Sequence, residues 1–209
     1  MTGTISINRA PVLTLWAAVV AERLGFEWEE ALTLGRAVTG LNAYSKGVRL
    51  GLFTPTPKEV REQRAKLRPR DTITVDLLQR AVPAVHTKEG LRALAKEKAV
   101  DPESVERYLF TKFGDGFDAA LAAMKELAQS RTPAKLASEA VRLYEAFRPA
   151  VPAGTRGWGA KGTLELEAIR KLVEQLGGVV IGACFIIELS FLGGRERLAG
   201  TDLHALIEY

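Results

Sequence analysis

Residues 10–21, APVLTLWAAVVA, carry no charged side chain and are bracketed by Arg9 on one side and Glu22 and Arg23 on the other. A bilayer span takes about 20 apolar residues, so this run is too short to be one. It has the size of a signal-peptide core. Against that, Leu13, Trp16, Val20 and Leu24 recur at helical spacing, and the stripe continues through Glu22 and Arg23 to Gly25, a residue suited to ending a helix. The spacing predicts a buried amphipathic first helix over about Ala10 to Leu24.

A helix with an apolar stripe needs partners, and the next stretch supplies them. Ala31, Leu34, Val38 and Leu41 share one face of a second helix over about 27–46. Thr56-Pro57-Lys58-Glu59 has the form of a capping box with proline at the first helical position, which predicts a short polar helix, PKEVREQRAKLR. Asp101-Pro102 and Thr132-Pro133 are start signals with a mechanism: the side-chain oxygen accepts an orphan N–H, and proline has none to lose. Asp115 predicts another start, for a helix running to about Ser130. Thr87 predicts a cap for a helix over KEGLRALAKEK.

Between these helices the period changes. TITVDLL (72–78) alternates and is rich in β-branched residues, and AVPAV (81–85) can return beside it, so a short strand or hairpin is expected, with Pro83 at an edge. PAVPAGTRGWGAKG (149–162) reads as a linker or surface loop. After it, Thr163 predicts the cap of a helix LELEAIRKLVEQL ending at Gly177-Gly178. An apolar strand, VVIGACFIIEL, and a terminal strand, DLHALIEY, follow. The expected architecture is mostly α: a multi-helix region over 1–150 with one short β-hairpin, a linker over 151–162 and a small helix-strand-strand α/β tail over 163–209.

Composition fits this plan and removes some function classes. The 209 residues are 47% hydrophobic and 26% charged, ordinary for a globular chain able to bury a core. One cysteine, Cys184, allows no internal disulfide framework, and two histidines, His86 and His204, would need carboxylates to complete a metal site. No metal ligand is assigned, and a cytoplasmic location is expected. The acidic residues Asp115, Asp118, Glu126, Glu103 and Glu106 fit caps and exposed faces better than an acid–base pair, so no catalytic residue is assigned either.

Charge is uneven. Residues 1–157 hold 24 Lys and Arg against 18 Asp and Glu, whereas residues 158–209 hold 5 against 7. The excess concentrates in residues 46–70, where Lys46, Arg49, Lys58, Arg61, Arg64, Lys66, Arg68 and Arg70 face only Glu59 and Glu62. Arg61, Arg64 and Arg68 lie three and four apart and can share a helix face. Such a face suits phosphates, each neutralised phosphate releasing counterions, although a merely solvated helix and loop would also look like this. Tyr44 and Phe53 flank the region singly, which does not by itself make a base-stacking platform. A second candidate anion site is the loop AGTRGWGAKGT, where Arg156, Lys161, Gly162 and Thr163 could meet a phosphate. It lacks the spacing of the common nucleotide-binding fingerprints and equally suits a plain connector.

The segment KLVEQLGGVVIGACFIIELSFLGGRERLAGTDLHALIEY (171–209) resembles the C-terminal end of bacterial adenine phosphoribosyltransferases in its LVEQLGG helix end, strand ending IEL, GGRERL segment and terminal LIEY. The resemblance implies a piece of α/β sheet that supports packing. In that family the chemistry needs an acidic loop before the helix that grips phosphoribosyl pyrophosphate, and here TRGWGAKGT stands in its place, with no Asp or Glu between Glu145 and Glu165. No catalytic residue carries over. The N-terminal part loosely resembles small uncharacterised bacterial helical proteins, which adds no function. The expectation is therefore a non-catalytic protein that meets nucleic acid or another acidic partner through its basic face, with a tail that packs or forms a homo-oligomer. No membrane partner and no cofactor are expected. The alternative is a phosphoribosyltransferase of purine salvage, which alone would call for Mg²⁺.

Overall fold

The computed structural model of the chain describes residues 3–152, 160–174, 183–188 and 203–208. It divides into two compact units, Met1–Val173 and Glu174–Tyr209. Helix dominates the first. In chain order its helices are α1 (Arg9–Arg23), α2 (Trp28–Arg49), α3 (Lys58–Lys66), α4 (Pro102–Phe113), α5 (Phe117–Gln129), α6 (Pro133–Phe147) and α7 (Leu166–Glu174), the last ending at the division. The mostly helical class matches the expectation from sequence.

Helix α1 is buried at every position from Pro11 to Ala21, so it is apolar all round and not striped. Helices α2, α4, α5 and α6 all pack against it. Trp16 at its middle is fully buried; its ring meets Phe147 of α6 edge-on, with centroids 5.3 Å apart, and its indole N–H donates to the Ala140 carbonyl at 2.8 Å. Thr14, also buried, bonds the Ala10 carbonyl and the Thr39 hydroxyl of α2, at 3.0 and 2.9 Å, so its polar group enters the core with partners.

The helix ends follow their local chemistry. Gly25, at φ +105°, closes α1 as expected. The Glu30 carboxylate accepts the Glu27 N–H at the start of α2. Asp101 accepts from the N–H groups of Glu103 and Ser104, and Thr132 from that of Lys135, each with proline next in line. Asp115 instead falls in a single 3₁₀ turn (Gly114–Gly116), and α5 begins at Phe117. Buried Arg131 pairs with Glu139 at 2.8 Å; this hydrogen bond, reinforced by the charges of Arg131, Arg142 and Lys135, holds the Glu139 carboxyl below its ordinary range against partial burial.

The hairpin expected over 72–85 is the first half of a four-stranded antiparallel meander: β2 (Ile73–Leu77), β3 (Arg80–Thr87), β4 (Gly90–Ala95) and β5 (Lys98–Ala99). The helix expected over KEGLRALAKEK is thus corrected to strands. Thr87 does not cap a helix: its hydroxyl donates to the Gly90 carbonyl inside a tight turn, where Gly90 adopts φ +111°. His86 consequently lies within β3. That strand is central in its sheet, yet its register with β4 stops at Ala84, so Pro83 owes no hydrogen bond on that side. Helix α2 covers β4. Glu30 accepts the Leu91 N–H at 2.6 Å, Thr33 accepts the Ala93 N–H at 3.1 Å, and Glu29 pairs with the buried Arg92 at 2.8 Å.

A second ribbon joins β1 (Thr4–Ile7) to β6 (Gly162–Glu165), antiparallel. Thr163 therefore sits in a strand and does not cap a helix; α7 starts at Leu166, whose N–H donates to the Gly3 carbonyl. Leu164, Leu166 and Ile169 are buried in the core of the first unit. This is why the chain divides after Val173 and not within 151–162: β6 and α7 belong to the helical unit. In the second unit β7 (Ala183–Glu188) and β8 (Leu203–Glu208) pair in parallel, Ala183 opposite Leu203 and Glu188 opposite Glu208. The expectations for Gly177-Gly178, the GGRERL segment and the side chains of Cys184 and His204 lie outside the described residues.

Candidate nucleic-acid interface

Helix α3 has no buried side chain; Val60 is its only half-buried residue. It carries Lys58, Arg61, Arg64 and Lys66, and Arg68 and Arg70 follow in the turn that leads to β2. All six are exposed. Lys58 makes an exposed pair with Glu62 at 3.8 Å, while Arg61, Arg64, Lys66, Arg68 and Arg70 form no ion pair or side-chain hydrogen bond among the described residues. Exposed, unsatisfied guanidinium groups keep their full set of donors for a phosphate.

The helix is held in place by a contact that the sequence pattern assigns otherwise. Thr56 does not cap α3; Pro57 occupies that position without a side-chain bond. The Thr56 N–H donates to the Tyr44 phenol oxygen of α2, and the two hydroxyls share a further hydrogen bond, both at 2.8 Å. These bonds, with a smaller contribution from the Arg61 and Arg64 charges, hold the Tyr44 phenol below its ordinary pKa range.

Tyr44 and Phe53 come together as well. Their rings are parallel to within 14° with centroids 6.4 Å apart, and they are 40% and 44% exposed. Gly47, one turn after Tyr44 on α2, makes room for Phe53: a Cβ there would run into the Phe53 ring. Sequence reasoning treated the two aromatics as separate flanks. The signal that could have joined them is a glycine at helical spacing from Tyr44, just before the chain turns at Gly51 (φ +69°) and brings Phe53 back.

Of the second candidate, the described residues include Lys161, Gly162 and Thr163. Lys161 is exposed, Gly162 is buried in β6 and Thr163 is exposed. The Thr163 N–H donates to the Ala150 carbonyl at 3.0 Å and its carbonyl accepts from Ala150 in return. A Cβ at Gly162 would lie 2.5 Å from the Ala150 oxygen, so close strand approach accounts for that glycine. Arg156 lies outside the described residues.

A shallow hollow of about 300 Å³ lies between α2, β5 and the start of α4, lined by Arg36, Lys98, Asp101, Ser104 and Tyr108 among others. Its groups are engaged structurally: Asp101 caps α4, and the Arg36 guanidinium sits 5.0 Å from the Tyr108 ring centroid. Among the described residues no three or more His, Cys, Asp or Glu are grouped to hold a metal ion, and no helix is long and apolar enough to cross a membrane. No protein-family model matches the chain, and no solved structure matches it.

Proposed function

We propose that the protein is a non-catalytic binding protein whose helical unit contacts nucleic acid through α3 and the turn after it. The observation that carries this is the state of the six cations. Lys58, Arg61, Arg64, Lys66, Arg68 and Arg70 are all exposed, and five of them form no ion pair or side-chain hydrogen bond among the described residues. Two exposed arginines elsewhere in the unit, Arg142 and Arg148, do pair with nearby carboxylates. A row left open costs solvation nothing and keeps donors for an anion.

The test is affinity against salt. Measured by fluorescence anisotropy with a labelled oligonucleotide, binding through about six phosphates falls about 10³-fold between 50 and 200 mM salt. Changing Arg61, Arg64 and Arg68 together to Ala weakens binding about equally for unrelated sequences and reduces the salt slope by about 2–3. Salt-independent binding, or a triple variant that binds as well as the parent, overturns the proposal.

The second unit takes the associating role in this proposal. Among the described residues the second unit's sheet has two strands, β7 and β8, and such a pair is marginal alone, which supports a further sheet partner from a second copy. Sedimentation velocity of the full chain should then show concentration-dependent association, and removal of 174–209 should leave a monomer. Identical sedimentation of the two forms counts against that role.

A further inference from the structure

The Tyr44–Phe53 pair lies in the open beside the cations of α3, and that juxtaposition says more about the ligand than charge alone. We propose that the two rings and Arg61 and Arg64 form one platform for single-stranded nucleic acid, with bases stacked on the rings and phosphates held by the arginines. The proposal rests on the nucleic-acid reading above and deepens it by choosing the strand form.

Three observations carry the choice. The rings are parallel within 14° and about two-fifths exposed, so part of their aromatic surface is open to solvent. A flat, sequence-tolerant surface of this kind suits an unstacked base, because every base has a π face. In a duplex those faces are hidden within the stack. Second, the rings are fixed in position before any ligand arrives. Phe53 is seated against Gly47, and Tyr44 is tied through its hydroxyl to Thr56, immediately before α3. The element that carries the cations and the element that carries the rings are therefore one connected piece. Third, Arg61 and Arg64 lie in the first two turns of α3, five and eight residues after Thr56, the residue bonded to Tyr44, so the cations follow directly on the segment tied to the rings.

A lipid surface is the competing occupant, because Leu50, Leu52 and Leu67 are also exposed in this region at 56%, 59% and 75%. An interfacial helix, however, embeds an apolar face. Helix α3, KEVREQRAK, has only Val60 and Ala65 as apolar residues and presents none. The observations favour a stacked strand.

The experiment titrates the full chain with a labelled 20-nucleotide single strand, in DNA and RNA forms, with a 20-base-pair duplex, and with vesicles containing anionic phosphatidylserine, all at one salt concentration. Single strands should bind about tenfold more tightly than the duplex. Phe53→Ala should weaken single-strand binding about tenfold and leave duplex binding within about twofold. Phe53→Trp, which restores π surface, should retain single-strand affinity, whereas Tyr44→Phe, which keeps the ring but removes the bonds to Thr56, should weaken it by less than Phe53→Ala does. The pair separates lost stacking from a displaced loop. Preference for one sugar over the other tells RNA from DNA and supports the platform in either case. Equal binding of both strand forms, unmoved by Phe53→Ala, overturns the platform while leaving the nucleic-acid reading intact. Binding to vesicles without binding to either nucleic acid, or no binding at all, overturns both.

Discussion

Changing Trp16 to Ala should lower the unfolding free energy of the helical unit by about 3–5 kcal/mol. Trp16 is completely buried in the helix that α2, α4, α5 and α6 all pack against, so the space left by the ring is enclosed by elements that cannot all close on it. Part of the loss is transfer of the ring itself, part is the residual cavity, and part is the edge-on contact with Phe147. The indole N–H adds a hydrogen bond to the Ala140 carbonyl at 2.8 Å, buried and between residues 124 apart in sequence. Trp16→Phe separates these contributions. It keeps an aromatic ring near Phe147 and loses the hydrogen bond, worth about 1 kcal/mol, together with some volume. Urea unfolding followed by helical circular dichroism reads both variants. A loss under about 1 kcal/mol for Trp16→Ala would mean that α1 is not the centre of the core.

The parts of the fold that were legible in the sequence are those in which local chemistry is decisive. Asp101 and Thr132 each precede a proline, and both cap helices in the structure, because the side-chain oxygen and the missing donor act within one turn of chain. Thr56-Pro57 has the same outward form but behaves differently. Its hydroxyl meets Tyr44, twelve residues away, a contact that no local pattern contains. The same limit explains the misjudged strands. The two-residue turns Leu78-Gln79 and Lys96-Glu97 adopt positive φ at 47°, 57°, 49° and 65°, which hairpins of this kind require, yet neither contains the glycine or asparagine that would announce it. RALAKEK also consists of good helix formers, so propensity points the wrong way. Tertiary context overrides it: Glu30 and Thr33 of α2 take up the N–H groups of Leu91 and Ala93, and a helix there would leave that match unmade. β1 and β6 were illegible for a related reason. They are four residues each, and the paired Ile7 and Gly162 lie 155 positions apart in sequence (162 − 7).

In the candidate interface, charge was legible and geometry was not. The cations could be counted from the sequence, and their exposure follows from a helix with almost no apolar residue to bury. The pairing of Tyr44 with Phe53 depends on Gly47 and on the positive φ of Gly51, a packing choice that is visible only once α2 and the chain after it are folded together.

Two glycines of α2 should respond to the same substitution with opposite signs. At Gly40 a Cβ meets nothing within 4 Å and the residue is exposed, so Gly40→Ala should stabilise by about 0.5–1 kcal/mol through helix propensity and reduced freedom of the unfolded chain. At Gly35 a Cβ would fall 2.5 Å from the Thr14 carbonyl oxygen, 2.9 Å from the Ala18 nitrogen and 3.3 Å from the Ala18 Cβ. The two nearest of these atoms are α1 backbone, not the free end of a flexible side chain. The helix that would have to retreat is buried along Pro11–Ala21 and packed against α4, α5 and α6 as well. Separating α1 from α2 would also strain the Thr14–Thr39 hydrogen bond between them. The propensity gain of about 1 kcal/mol is then outweighed by overpacking, and Gly35→Ala should destabilise by about 1–3 kcal/mol net, Gly35→Val by more. Thermal and urea unfolding of the pair decide the matter. If Gly35→Ala stabilises as Gly40→Ala does, the close approach of α1 and α2 is not what holds the helical unit together; if the signs differ, Gly35 marks the point where the two backbones must touch.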